Sequence, residues 1–161
     1  MRGNEGFTII EVLIVIAIMI ILALMADPFL SDSLTATFLT TTADQANDAL
    51  REAQSSAISR KNGGKFGVHF EAAKYVFFEG ATYSAVDPNN VEHAFTGQLS
   101  ISTVSLSPGG ACTVATGAGN CDVHFANHRG VPTENGSITF LSADGPTKVL
   151  SVNAAGMVDV N

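Results

Sequence analysis

Polar and apolar positions alternate on two different periods along this chain, and the change of period divides it. Gly6 to Ala26 reads GFTIIEVLIVIAIMIILALMA, and every residue from Val12 to Ala26 is apolar. Counted from Phe7, that is twenty residues, or ~30 Å of helix at ~1.5 Å per residue, the thickness of a bilayer core. In lipid the backbone must satisfy its own hydrogen bonds, so a helix is predicted despite the many β-branched residues. Beyond Asp27-Pro28, residues Leu39, Ala43, Ala46, Leu50, Ala53 and Ala57 recur at spacings of four and three. They form one face of an amphipathic helix, with Gln45, Asp48, Glu52, Ser55 and Ser59 on a wetter side. Arg60 and Lys61 suit the negative end of the helix dipole, and Gly63-Gly64 supplies a stop. The prediction is a helix from Phe7 to Lys61, kinked or interrupted near Pro28, whose ring removes a donor and clashes with the preceding turn.

After Gly64 the period shortens. Phe66–Phe70, Tyr75–Phe78, Leu99–Val104, Val123–Phe125, Ser137–Leu141, Val149–Val152 and Met157–Val160 read as strands. Glu71–Lys74 reads as a hairpin connection, and Asp144-Gly145-Pro146 and Ala155-Gly156 as turns. Strands joined by turns, with no helix between them, predict an antiparallel sheet. The predicted fold class is α+β: a long N-terminal hydrophobic helix whose second half packs on a C-terminal antiparallel sheet. The expected layout is a leader at 1–6, an apolar helix at 7–27, an amphipathic continuation at 28–62 and a sheet head at 63–161.

Composition sharpens this picture. Of 161 residues, 46% are hydrophobic and only 14% charged, which excludes a disordered chain. Eight Lys plus Arg against fifteen Asp plus Glu give a formal charge of -7, which argues against binding a phosphate backbone. Within the apolar run stands Glu11, a carboxylate that costs up to ~2.5–3.5 kcal/mol at mid-membrane and less near the end. Such a residue points to a function. A secretory signal or plain anchor fits less well, because the leader is very short and Leu24-Met25-Ala26-Asp27 lacks a small-x-small cleavage site.

Gly6-Phe7-Thr8-Ile9-Ile10-Glu11, followed by an unbroken apolar helix, resembles the class III signal of type IV pilins and type II secretion pseudopilins. That resemblance implies cleavage after Gly6 by a membrane prepilin peptidase and methylation of the new amino terminus on Phe7. It implies that Glu11 guides the subunit into a filament, and that Pro28 stands where a helix-loosening proline often stands. The implied partners are copies of itself or other pilins, the prepilin peptidase, an inner-membrane assembly platform and, before assembly, membrane lipid. The precursor is expected in the inner membrane and the product in an extracellular or periplasmic filament. The residues agree physically with this reading. Glycine lets a protease approach the backbone, and cleavage exposes an amine of pKa ~7.7–8.0 one helical turn from Glu11. Opposite charges there relieve each other's desolvation. Spacing alone leaves open whether Glu11 pairs with its own amine or a neighbour's; the family implies the neighbour's.

The head resembles H-type pseudopilins and FimT-type minor pilins in Arg51–Arg60, Val123–Phe125, Arg129-Gly130, Gly136–Phe140 and Val152–Val158. The alternative to a bulk subunit is therefore a low-copy minor or tip pilin acting as an adhesin or in DNA uptake. Some FimT-type proteins carry a basic C-terminal motif for DNA, but here the end reads Gly156–Asn161 with Asp159 in it. The basic residues Arg51, Arg60, Lys61, Lys65 and Lys74 form the remaining candidate for nucleic acid, which is not an expected partner.

Cys112 and Cys121 are too few for a disulfide scaffold and lack zinc-site spacing. Outside the cytoplasm a disulfide between them is expected, the alternative being two free thiols. His124 and His128 sit on a predicted strand and turn, where a spacing of four does not gather metal ligands. Asp87, Asn89, Asn90 and Glu92 could offer oxygen to calcium but lack an EF-hand's spacing and glycine, so a solvated turn is expected. Asn135-Gly136-Ser137 fits a glycosylation sequon and equally a turn. No nucleophile elbow or phosphate loop occurs, so no cofactor is expected and the chain reads as an enzyme's substrate rather than an enzyme.

Overall fold

The structure is a computed structural model that describes residues 6–59, 64–96, 99–126, 129–143 and 145–161, with the side chains of 25–33 left aside. Residues 1–34 and 35–161 form two compact units. In the first unit, α1 (Ile9–Ile58) begins two residues later than the periodicity suggested. The reason is a cap: the Glu11 N–H donates to the Thr8 hydroxyl (3.3 Å) and the Thr8 carbonyl (3.1 Å), so Thr8 ends the coil and stays outside the helix. The described apolar stretch, Ile9–Leu24, is exposed on every side. Among the described residues no helix is long and apolar enough to cross a membrane. The sequence estimate of twenty residues counted Phe7 and Thr8, which precede the helix, and Met25 and Ala26, whose side chains lie outside the description. Helical assignment continues through Pro28, and an interruption of α1 is therefore not observed. Arg60, Lys61 and Gly63, the expected helix stop, lie outside the described residues.

In the second unit the C-terminal half of α1 buries the face that its spacing predicted: Leu39, Ala43, Ala46, Leu50, Ala53 and Ala57 all join the core. Alanine at most of these positions lets the helix backbone approach the sheets closely. The predicted single sheet is in fact two, with a small hairpin besides. The strands are β1 (Phe66–Glu71), β2 (Lys74–Glu79), β3 (Val91–Ala94), β4 (Leu99–Ser107), β5 (Cys112–Thr113), β6 (Ala118–Gly119), β7 (Asp122–Phe125), β8 (Asn135–Ser142), β9 (Thr147–Val152) and β10 (Val158–Val160). One sheet runs β3-β2-β1-β7 and the other β10-β9-β8-β4, both antiparallel, with β5 and β6 as a separate ribbon. The split follows from pairing. β1 takes β7 as its second neighbour, Phe66 opposite Phe125, while β4 takes β8 with a register shift between Ile101 and Thr103.

Phe66, Val68, Phe70, Val123 and Phe125 of the first sheet and Ile101, Ile138, Phe140, Leu150 and Val152 of the second share one core with the helix. Asn135-Gly136, read as a possible turn, instead opens β8, where Asn135 lies opposite Ser107.

Candidate functional site

The candidate site is the start of the first unit. Gly6 has open space around it: a Cβ there would meet nothing within 4 Å. A protease could therefore reach this peptide bond without displacing neighbours. Phe7 is 84% exposed. Thr8 caps α1, which puts Glu11 in its first turn, where the helix dipole favours a carboxylate. Ile9, Ile10, Leu13, Ile14 and Ile18 follow, all exposed. A helix segment apolar all round, as this one is from Val12 to Leu24, needs lipid or other helices as cover. Gly6, Phe7, the capping Thr8 and Glu11 thus stand within one accessible segment. Sequence reasoning read Thr8 only as part of the signal and not as a cap, although Thr-x-x-Glu ahead of an apolar run is a capping-box pattern.

The chain carries a prokaryotic N-terminal methylation motif. The match to the family of that description covers residues 1–26. No curated protein and no solved structure matches the chain. The motif is the class III prepilin signal of type IV pilins and pseudopilins, and it includes Gly6, Phe7 and Glu11.

The head holds the other candidates, and most are engaged in holding the fold. Cys112 and Cys121 are joined in a disulfide, Cα atoms 5.0 Å apart, closing a loop that contains the β5–β6 ribbon. His69, only 3% exposed, bonds Asp122 through Nδ1, lies 3.7 Å from Glu71 through Nε2, and stacks on Tyr83 at 3.9 Å. It clamps β1 to β7 and to the β2–β3 loop. Sequence reasoning found no partner for His69, because Asp122 stands on another strand and Tyr83 on a loop, and only Glu71 is near it in sequence. Burial is the main cause that holds the Tyr83 hydroxyl above its usual range, aided by Glu71. His124 Nδ1 lies 2.9 Å from Glu134 Oε2, near enough for an ion pair but not aimed for a hydrogen bond. Burial pushes the Glu134 carboxyl up, against the opposing pull of His124. His128 lies outside the described residues.

Two residues of the basic cluster have local partners. Arg51 donates to Asn47 (3.1 Å), and Lys74 donates to Glu92 (2.7 Å), a bond that raises the lysine pKa. Arg60 and Lys61 lie outside the described residues. The oxygen-rich loop is a turn: the Asn89 N–H donates to Asp87 (2.9 Å), and the Asn90 amide donates to the Ser84 carbonyl (2.8 Å). Among the described residues no three His, Cys, Asp or Glu are grouped to hold a metal ion.

One head residue without a place in the sequence reading is Gln54. Its amide donates to the carbonyls of Gly130 (2.6 Å) and Gly156 (2.9 Å), tying α1 to two loops at once. Both glycines have positive φ, and a Cβ on Gly156 would come within 2.2 Å of the Gly130 carbonyl.

Proposed function

We propose that this chain is the precursor of a filament subunit, a type IV pilin or pseudopilin, cleaved after Gly6 and N-methylated on Phe7. The observation that carries the reading is the methylation motif at residues 1–26, running into a helix whose apolar side chains are exposed all round. Cleavage leaves Phe7 as a cationic amine, largely charged at neutral pH. Glu11, one turn on, then offers a carboxylate to the amine of a neighbouring subunit. In lipid that carboxylate is costly; beside an amine it is compensated. Lipid cover is exchanged for helix cover, and the charge pair fixes the axial register between subunits.

Mass spectrometry of the protein isolated from its native membrane tests the processing. The expected mature chain starts at Phe7 and carries one extra methyl group; an intact Met1, or a start at Asp27, overturns the proposal. Glu11→Ala is expected to leave the head folded and to suppress assembly. Filaments at the normal level in that variant would remove Glu11 from its role.

The H-type resemblance of the head favours a low-copy subunit over a bulk one. Counting copies per length of sheared filament separates the two. For DNA uptake the charge balance is unfavourable, and a gel-shift titration at two salt concentrations is expected to detect no salt-sensitive binding.

A further inference from the structure

The head carries a groove that the filament reading does not use. It lies between the exposed side of α1 and β3, the end strand of its sheet. Two hollows of about 460 and 290 Å³ meet there, sharing Ala49, Glu52 and His93. Phe66, Phe77 and Val91 give the larger one an apolar floor, and Asp48 and Glu52 place carboxylates along the helix side. No Lys or Arg lines either hollow among the described residues.

β3 forms one wall, and all four of its residues are exposed. Among the described residues it has a strand on one side only. The Phe95 N–H donates to the Ala73 carbonyl, and His93 and Val91 lie opposite Tyr75 and Phe77. In an antiparallel ladder, backbone groups alternate in direction from one residue to the next. Those of Val91 and His93 therefore face β2, and those of Glu92 and Ala94 face outward. The side chains of Val91 and His93 project into the groove, beside the carboxylates. An open strand edge with a pocketed face beside it is the arrangement that accepts an added strand.

We infer that this groove docks an extended segment of another protein, paired along β3, whose groove-facing residues, every second one along the strand, are by turns basic and apolar. The apolar ones cover Phe77 and Val91, and the basic ones reach Asp48 and Glu52. Charge decides the occupant. A second copy of this chain brings fifteen acidic against eight basic residues and is poorly suited; nucleic acid is repelled outright. The inference stands independently of processing at Gly6.

The test uses the full chain in a nonionic detergent and a synthetic peptide in which lysine and valine take turns at every second position, with serine between them. Two control peptides carry glutamate for lysine, or two consecutive prolines at the centre, which remove a β3-facing N–H in either strand direction. On adding the lysine-valine peptide, amide exchange is expected to slow at Glu92 and Ala94, and neither control should do this. Glu52→Gln is expected to weaken binding by about threefold, within the range of one exposed charge pair, while Asp159→Asn, an equal loss of charge on β10, leaves affinity unchanged. Three results would overturn the inference: unslowed exchange at both amides with saturating peptide, equal weakening by the two variants, or proline-peptide binding as tight as the parent's.

Discussion

Gln54 offers the sharpest test of how the head is held together. Its side-chain amide donates two hydrogen bonds, to Gly130 and Gly156, from a partly buried position near the end of α1. Replacing it with alanine removes the donor and leaves both carbonyls without this partner. Each carbonyl is on a buried glycine. A buried acceptor left unsatisfied costs about 1–3 kcal/mol, whereas the net gain from one hydrogen bond is only about 1 kcal/mol. The expected loss is therefore about 2–4 kcal/mol, toward the lower figure if water enters the space left behind. Gln54→Glu sharpens the argument, because it keeps the shape but sets a carboxylate against two carbonyl oxygens. It should cost at least as much at neutral pH. In acid the protonated carboxyl regains one donor, so the difference from wild type should narrow as pH falls through the carboxylate range.

The assay is chemical denaturation of the full chain in detergent micelles, followed through the near-ultraviolet signal of its tyrosines and phenylalanines at neutral and acid pH. If both variants fall within about 0.5 kcal/mol of wild type, the range of an ordinary surface substitution, the clamp reading is wrong.

Three further predictions concern the head. Burial, and secondarily the Asp48 carboxylate, push the Tyr75 hydroxyl up to about 12 from its usual value near 10. The native state thus keeps a proton that the unfolded chain releases, so this stability is present below pH 10 and lost as pH rises through 10 to 12. The loss should be on the order of 1–2 kcal/mol, discounted because the ring borders an open groove, and a tyrosinate absorbance titration in a Tyr83→Phe background checks it. Replacing Cys112 and Cys121 together by serine should cost about 2–3 kcal/mol, since the bridge closes a loop with a sequence separation of only 9; an unchanged denaturation midpoint would refute this. Gly117→Ala should destabilise the β5–β6 ribbon, because φ there is +64° and the new Cβ would stand 2.6 Å from His69 Nε2; loss of exchange protection at Ala118 and Gly119 is the expected readout.

What could be read in the sequence was whatever is local. The stripe from Leu39 to Ala57 was legible because one helix face repeats at fixed spacing. The signal from Gly6 to Glu11 was legible because its elements are consecutive residues. β3 was not: Val91-Glu92-His93-Ala94 holds one strongly apolar residue, as an exposed end strand requires no buried face. The β5–β6 ribbon was hidden for a related reason, since its Gly-, Ala- and Thr-rich loop is ordered by a disulfide rather than by burial. The division into two sheets depends on pairings such as β1 with β7, between segments more than fifty residues apart, and no period in a window of ten reveals them. Gln54 failed to announce itself because glutamine on a helix usually faces water. Its meaning lies in two distant glycines.

The two units also differ in what they need from their surroundings. Residues 35–161 bury their own apolar side chains: phenylalanines 66, 70, 78, 125 and 140 are all but inaccessible to water. The first unit has no such option, because Ile9 to Leu24 is apolar on every face except at Glu11. Apolar burial drives a helix out of water at about 25 cal/mol per Å² but does not choose between lipid and a bundle of similar helices, since both are equally greasy. Van der Waals packing and polar contacts must then make the choice. Glu11 is the group here that distinguishes the two destinations, costing up to ~3 kcal/mol in lipid and little beside a neighbour's amine. On the filament reading, a single carboxylate thus converts an indifferent exchange into a directed one. Glu11→Gln should then give filaments in lower yield than wild type, while the head's denaturation profile stays unchanged. Equal yields from Gln and Glu would mean that packing alone drives extraction from the membrane.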